Sequence, residues 1–407
     1  VAVQPFPWKP IIFLSITVMV SFGVILYGFS VYLTRGAAGG EFSTGLLSVA
    51  YGGSVLTGGL LAFPVGRFAD RRGVRAILGV GSLAGSAGLA VFSIADRPWE
   101  VLAAWWLLIG PASAMTFYEP AYVAIDRWCH DADRPRATAI LTLVGGLAGL
   151  VFIPGIEALV GRIGWRPTLR LLAGLLAVVG VGTAWWVLPP DTSTRQRAWP
   201  GRSSLTGLAR DRRFVLYSVG MVLSLFAAQG VIAHRVARFE EAGFALGVVA
   251  AWAGLSSLAS LPGRWLGPMA TVRFSPTALQ GTAVAILAVS VALLAVGSNR
   301  LHLVGHFLLF GLAFGAVLPL RALAMGNWYS GARYGRVMGA QWTLVALGSA
   351  AGPAAVGLAR DRLGGYEWPV AGLAAVYLAA SGLILWAGRS RAAPVGGEPD
   401  RRGGPTD

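Results

Sequence analysis

Gly66-Arg67-Phe68-Ala69-Asp70-Arg71-Arg72-Gly73-Val74-Arg75 is a polar, arginine-rich island between two apolar stretches, roughly 45–65 and 76–95. A helix of about 20 apolar residues crosses a hydrocarbon core of ~30 Å. An island this short between two such stretches is a tight reversal on one membrane face. Glycines at 66 and 73 let helix ends and a turn approach closely, and Asp70 can cap a helix and pair with arginines across a helix seam. The stretch therefore predicts two antiparallel membrane helices joined through a basic, hinge-like loop.

The same alternation extends outward in both directions. Ile11 to Leu33 carries no acidic or basic residue before its end, follows Lys9, and is too long for a signal-peptide core, so it is expected to be a retained helix. Further apolar segments run roughly 101–125, 137–160, 167–188, 214–234, 245–270, 276–297, 301–325, 337–358 and 368–388, twelve crossings in all. Composition agrees: 55% of the 407 residues are hydrophobic and 13% charged, with a mean hydropathy of +0.65, whereas a soluble domain carries about 25% charged residues. An ordinary soluble enzyme is excluded. The fold class expected is an all-α membrane protein.

The net charge of +15 would suggest nucleic acid in a soluble chain. Here it is read as retention of positive loops on the cytoplasmic side, with no nucleic-acid partner. With the N-terminus inside, the cytoplasmic segments hold 21 of the 33 basic residues and the opposite loops nine; Arg170, Arg264 and Arg321 fall inside crossings. Both termini are thus expected in the cytoplasm of a multi-pass protein of the cell (inner) membrane. The single cysteine, Cys129, excludes an internal disulfide and a cysteine metal cluster. The chain has no C-x-x-C, H-E-x-x-H, Walker loop or G-x-S-x-G, so no catalytic residue, metal or cofactor is expected.

The longest polar connection, 189–213, holds Pro189, Pro190, Pro200 and six arginines and divides the crossings six and six. It separates a bundle at 1–188 from a second at 214–391, and the Pro-, Gly- and charge-rich tail 392–407 is expected to be disordered. The halves echo each other. Trp128 precedes Trp328 by 200 residues, Arg136 precedes Arg336 by 200, Pro154 precedes Pro353 by 199, and Gly-Trp-Arg-Pro at 164–167 answers Tyr-Glu-Trp-Pro at 366–369. Two parallel six-helix repeats with a site between them at mid-depth are the architecture of an alternating-access carrier.

G-x-x-x-D-R-x-G-x-R between crossings two and three resembles the signature loop of the major facilitator superfamily, and the crossings, linker and repeat extend that resemblance over nearly the whole chain. It assigns Gly66, Asp70, Arg71, Gly73 and Arg75 to a conformational latch. Asp126-Arg127-Trp128 with Arg134, Arg136 and Ala137, then Gly164-Trp165-Arg166, Gly352-Pro353 and Pro262-Gly263-Arg264, further resemble the monocarboxylate and oxalate/formate porter branch. That likeness implies that Arg264 holds a substrate carboxylate. Ser260 stands where the branch carries an acidic residue, and crossings one and eleven contain no lysine.

Arg264 also stands on its own chemistry: intramembrane charges are costly and mark functional sites by default, and a guanidinium grips a carboxylate through two parallel hydrogen bonds. Glu119, seven residues from Asp126, sits ~10 Å up its helix from the inner end at 1.5 Å per residue. Met115, Tyr118, Glu119 and Tyr122 share one helix face, suited to lining a cavity. A carboxyl removed from water gives up its charge more readily, which makes Glu119 the candidate for proton coupling. Arg321 in the tenth crossing is its candidate gate partner, the alternative being a static ion pair. His234 is a candidate relay at the outer end of the seventh crossing. Tyr27, Gln229, Gln341 and Trp342, through the family's cavity positions, complete the expected substrate surface with Tyr118 and Tyr122. The function expected is secondary transport of a small organic anion, a monocarboxylate, together with protons, by one chain in the bilayer. The alternative is a proton-driven exporter of amphipathic drugs or toxic metabolites.

Overall fold

The computed structural model describes residues 6–29, 31–32, 41–190, 205–331 and 333–390. Most of the expected linker and the whole tail 392–407 lie outside them. Twelve long helices follow in order: α1 (Trp8–Tyr27), α2 (Thr44–Arg72), α3 (Arg75–Ile94), α4 (Pro98–Trp128), α5 (Arg134–Ile163), α6 (Trp165–Val187), α7 (Arg212–Glu241), α8 (Leu246–Ala270), α9 (Pro276–Val296), α10 (Arg300–Tyr329), α11 (Tyr334–Leu363) and α12 (Glu367–Arg389). Among the described residues, eleven are long and apolar enough to cross a membrane. The twelfth, α8, is 25 residues long and carries Arg264. The twelve form two six-helix bundles, α1–α6 and α7–α12.

Helix ends follow local chemistry. Asp211, Ser275 and Asn299 each accept a backbone N–H of the first turn of α7, α9 and α10, satisfying groups that a helix start otherwise leaves unpaired. Gly164 and Gly364 end α5 and α11 at φ 81° and 77°, a conformation that side chains with a Cβ resist. Their identical spacing from Arg134 and Tyr334 repeats the same corner in both halves. Several helices run past the apolar limits read from sequence: α5 begins at Arg134 and α7 continues to Glu241. Arginines at those ends lie on neighbouring backbone, as Arg238 does on the carbonyls of Ala295 and Val296, so polar ends remain helical.

α4 is broken at its middle. Phe117 adopts φ −83°, ψ −160° and a new helical segment starts at Tyr118. Pro120 explains the break, because it lacks an N–H and its ring would clash with the carbonyl of Thr116 in a continuous helix. The consequence is that Glu119 lies in the first turn of a helix, where the backbone dipole favours a carboxylate. α1 contains a widened turn, Phe22–Tyr27, which ends at another residue of the expected site.

The bundles touch most closely where α2 meets α11. A Cβ on Gly66 would stand 2.0 Å from the Gly335 carbonyl oxygen, and one on Gly339 2.2 Å from that of Ala62. Thr343 donates to the Gly59 carbonyl at 2.6 Å. These contacts run from the face bearing the termini to about mid-depth. Beyond that level Gly155 and Gly161 of α5 and Gly247 and Gly254 of α8 meet open space. The close glycine contacts between α2 and α11 are therefore gathered toward the terminal face.

Candidate functional site

Two guanidinium groups stand at the seam near mid-depth, in opposite electrostatic situations. Arg321 of α10 is fully buried. Its Nη1 donates to both carboxylate oxygens of Glu119 at 3.0 and 3.3 Å, across the two bundles. Nε donates to Gln341 Oε1 at 2.6 Å, Nη2 to the Met338 carbonyl at 3.1 Å, and the Trp342 ring lies 5.0 Å from the guanidinium carbon. Gln341 and Trp342, expected to face substrate, lie beside Arg321; Gln341 has no exposed surface and Trp342 is half-buried.

Arg264 of α8 also reaches across the seam, but to neutral partners. Its Nη1 donates to the Tyr118 hydroxyl and the Thr142 carbonyl, each at 3.3 Å, and Nε stands 3.5 Å from Ser260 Oγ. Among the described residues no carboxylate lies within ion-pairing distance of it. Gly146 makes room: a Cβ there would sit 2.7 Å from Arg264 Nε. Half-buried Tyr27 lies in the same way against Gly149, 3.1 Å from where a Cβ would stand. Phe22 stacks on Phe117 at 4.0 Å and Tyr118 stacks on Tyr122 at 5.7 Å, so aromatic rings wall this side of the seam.

The other expected residues are dispersed. Tyr122 is buried below Tyr118, toward the terminal face, and its hydroxyl has no hydrogen-bond partner. Gln229 is exposed on the outer part of α7. His234 bonds the Tyr366 hydroxyl at 3.2 Å and the Pro353 carbonyl at 3.0 Å, a junction inside the second bundle and apart from the Glu119–Arg321 pair.

At the terminal face Asp70, 7% exposed, accepts the backbone N–H groups of Gly335 and Arg336 at 2.8 Å each. It thus caps α11 from the other bundle, with the charges of Arg336 and Arg127 attracting the same carboxylate. Arg71 is exposed, Gly73 turns at φ 84°, and Arg75 holds the Trp185 carbonyl at 2.6 Å within its own bundle. Sequence reasoning missed a second interbundle contact of a carboxylate with backbone. Asp126 Oδ2 accepts the Gly331 N–H at 2.8 Å and Oδ1 stands 3.1 Å from Arg134 Nη1. Its place in the quoted Asp126-Arg127-Trp128 run was the available signal. Thr142 and Gly146, which seat Arg264, carried none, since a backbone carbonyl and a missing side chain are invisible to residue chemistry.

A profile of the Major Facilitator Superfamily matches residues 11–304. The chain belongs to that superfamily. It is 24% identical over 329 residues to the Bacillus subtilis protein named uncharacterized MFS-type transporter YcxA, covering 79% of this chain and 80% of the relative. It is 28% identical over 178 residues to the Aspergillus niger MFS-type transporter pynF, covering 42% and 38%. Among solved structures it resembles the E. coli fucose:proton symporter FucP, at TM-score 0.73 and 12% identity over 92% of this chain and 97% of that one. It also resembles the human organic anion transporter MFSD10, at 0.72 and 18% over 94% and 100%. A FucP structure in the outward conformation matches at 0.71, with 12% identity over 92% and 97%. At such identities the structures attest the shared fold alone. This member of the superfamily is a multi-pass membrane protein and a secondary transporter, not an enzyme. The narrower resemblance to the monocarboxylate branch is not among these matches.

Proposed function

We propose that the protein carries a small organic anion, a monocarboxylate, by alternating access, and that protons drive it. The observation behind this reading is the inequality of the two arginines. Arg321 is neutralised by Glu119, whereas Arg264 holds a full charge among neutral groups at the same seam. A buried charge without a counter-ion is costly, and a carboxylate entering from the side away from the terminal face would supply one. Ser260, where an acid would neutralise the arginine from within, leaves that role to the cargo. Glu119 is the proton carrier: protonated, it no longer balances Arg321, and the interbundle pair loosens. Organic anion and proton are also what the names of MFSD10 and FucP specify for those proteins. The excess of arginine on the terminal face supports cytoplasmic termini in the inner membrane, so the state described faces outward. One chain contains every residue this mechanism uses, and a monomer is the working unit.

The test is uptake into proteoliposomes of a panel of labelled carboxylates, with and without an imposed pH gradient. Gradient-driven accumulation of a monocarboxylate by the parent, lost in Arg264→Ala, is the expected result. Equal transport by Arg264→Ala would overturn the anion assignment, and accumulation by Glu119→Gln under a pH gradient would overturn the coupling.

A further inference from the structure

Below the Glu119–Arg321 pair a cavity of about 120 Å³ lies between the bundles. Its upper wall includes Tyr122 and its lower wall includes Arg134, Thr271 and Asp131, whose side chain is 92% exposed at the terminal face. The cavity is several times the space one water requires. It also meets the other condition for buried water, which is polar groups in need of partners. The Tyr122 hydroxyl and Arg134 Nε are buried without a hydrogen bond, Asp126 Oδ1 has only its ion pair with Arg134, and all three residues line this space. Buried polar atoms are almost always satisfied, so two orphans and a singly partnered carboxylate oxygen around one void point to water within it.

The position of Tyr122 gives that water a function. It follows Glu119 by three residues on the same helix and so lies on the same face, one turn nearer the terminal face. A phenol donates and accepts at once. It can take a proton from Glu119 as it passes its own to the water below, or the reverse. The charged and titratable groups facing it are Glu119, Arg321 and Tyr118 above, Asp126 and Arg134 below, and Tyr334 from the other bundle.

We infer that Tyr122 and the water-filled cavity beneath it form a proton passage between Glu119 and the terminal face, separate from the path of the cargo. The inference rests on the proton-coupled reading above. Cargo must wait for the α2–α11 seam to part, whereas a proton can cross while Asp70 and Asp126 still hold the backbone at the start of α11 and in its preceding loop. For the gradient to be conserved, Glu119 must take up its proton only when cargo is bound, because a carboxylate open to both faces would pass protons without cargo. Tyr122 is thereby a relay for the proton and not a contact of the substrate.

Two measurements test it on the full-length protein. The first is radiolytic hydroxyl labelling, with buried Tyr377 as the control because its hydroxyl is also unpartnered but lines no described cavity. Tyr122 should be labelled well above Tyr377; equal labelling means a dry cavity and overturns the inference. The second uses Tyr122→Phe, which removes one oxygen. Counterflow of labelled carboxylate, which needs no net proton transfer, should stay within about twofold of the parent, while pH-gradient-driven accumulation should slow by about tenfold or more, as loss of a positioned proton carrier does. Unchanged accumulation shows that protons take another way. An equal fall in both fluxes makes Tyr122 a substrate or packing residue. Absence of gradient-driven uptake in the parent itself refutes the coupling reading, and the passage with it, and is told apart because it is read before any substitution.

Discussion

Replacing Glu119 by Gln should displace the equilibrium between the two facing states more than it affects folding. The carboxylate lies in one bundle and its partner Arg321 in the other, so the pair contributes only while the seam is shut at this depth. Removing one member of a buried ion pair costs about 3–5 kcal/mol, because the remaining charge is left uncompensated. Arg321 has no exposed side-chain surface and Glu119 only 12%, so solvent screens the pair little. Gln retains an acceptor for Nη1, which puts the loss near the lower limit, about 3 kcal/mol or on the order of 10² in a population ratio. Spin labels at exposed Arg71 and Arg273, placed on opposite bundles at the terminal face in a Cys129→Ser background, would report it by pulsed dipolar spectroscopy. The distance distribution should move from one short, dominant population toward a longer one. Arg321→Gln should shift it less, since the carboxyl left behind can take a proton and shed its charge. The double variant should recover most of the parent distribution. Lowering the pH should shift the parent in the direction of Glu119→Gln, because protonation removes the same charge, and the double variant should respond less. If Glu119→Gln and the double variant both match the parent, the pair does not hold the seam and the coupling mechanism built on it is wrong.

Other substitutions probe the remaining parts. Arg264→Lys keeps the charge but loses the planar fork and should weaken carboxylate binding about tenfold, against about 10²-fold or more for Arg264→Ala, read as substrate-induced change in tryptophan fluorescence; equal effects would deny the fork a role. Gly146→Val, whose Cβ must displace Arg264 Nε, should mimic Arg264→Lys in the same titration without lowering thermal stability as a core defect would. Asp70→Asn removes the charge from the cap on α11 and should favour opening at the terminal face by ~1–2 kcal/mol, a factor of about 5–30, seen with the same labels. Gly66→Ala sets a Cβ against a backbone oxygen 2.0 Å away, which no rotamer relieves, so crosslinking across that seam should fall sharply while expression is retained.

The bundles were readable in the sequence because the bilayer imposes a length and a polarity on each crossing, and because Gly164 and Gly364 mark corresponding corners. Arg321 stands 202 residues after Glu119, the same separation as between the starts of α4 at Pro98 and α10 at Arg300, so counted from those helix starts the pair joins matching positions of the two halves. Other assignments depended on which way a residue faces. Gln341 and Trp342 lie in α11 beside Arg321, two and three residues after Gly339, where that helix meets the Ala62 carbonyl of α2. Tyr122 shares a face with Glu119 as the spacing required, in the one helical segment that begins at Tyr118, and lies a turn nearer the terminal face. His234 was placed by depth alone, and depth does not distinguish the inside of one bundle from the space between two.

The charges at the seam also explain why an empty carrier and a loaded one should move differently. With Glu119 ionised, the pair with Arg321 is neutral and Arg264 leaves one positive charge near mid-depth. Closing the side away from the terminal face would take that charge out of contact with water, where an uncompensated ion costs several kcal/mol. A carboxylate on Arg264 removes the net charge, and Tyr118 and Thr142 on the first bundle then grip the same guanidinium that the cargo holds from the second. Protonation of Glu119 alone has the opposite effect, because it leaves Arg264 and Arg321 both unbalanced and deepens the barrier. Proton without anion is thus the worst state in which to cross, and anion without proton leaves the Glu119–Arg321 tie intact. With both aboard the tie is released and the anion offsets one of the two arginines, leaving the same single positive charge as in the empty carrier; on the proposed mechanism the loaded carrier therefore moves because the tie is broken and not because the site is neutral.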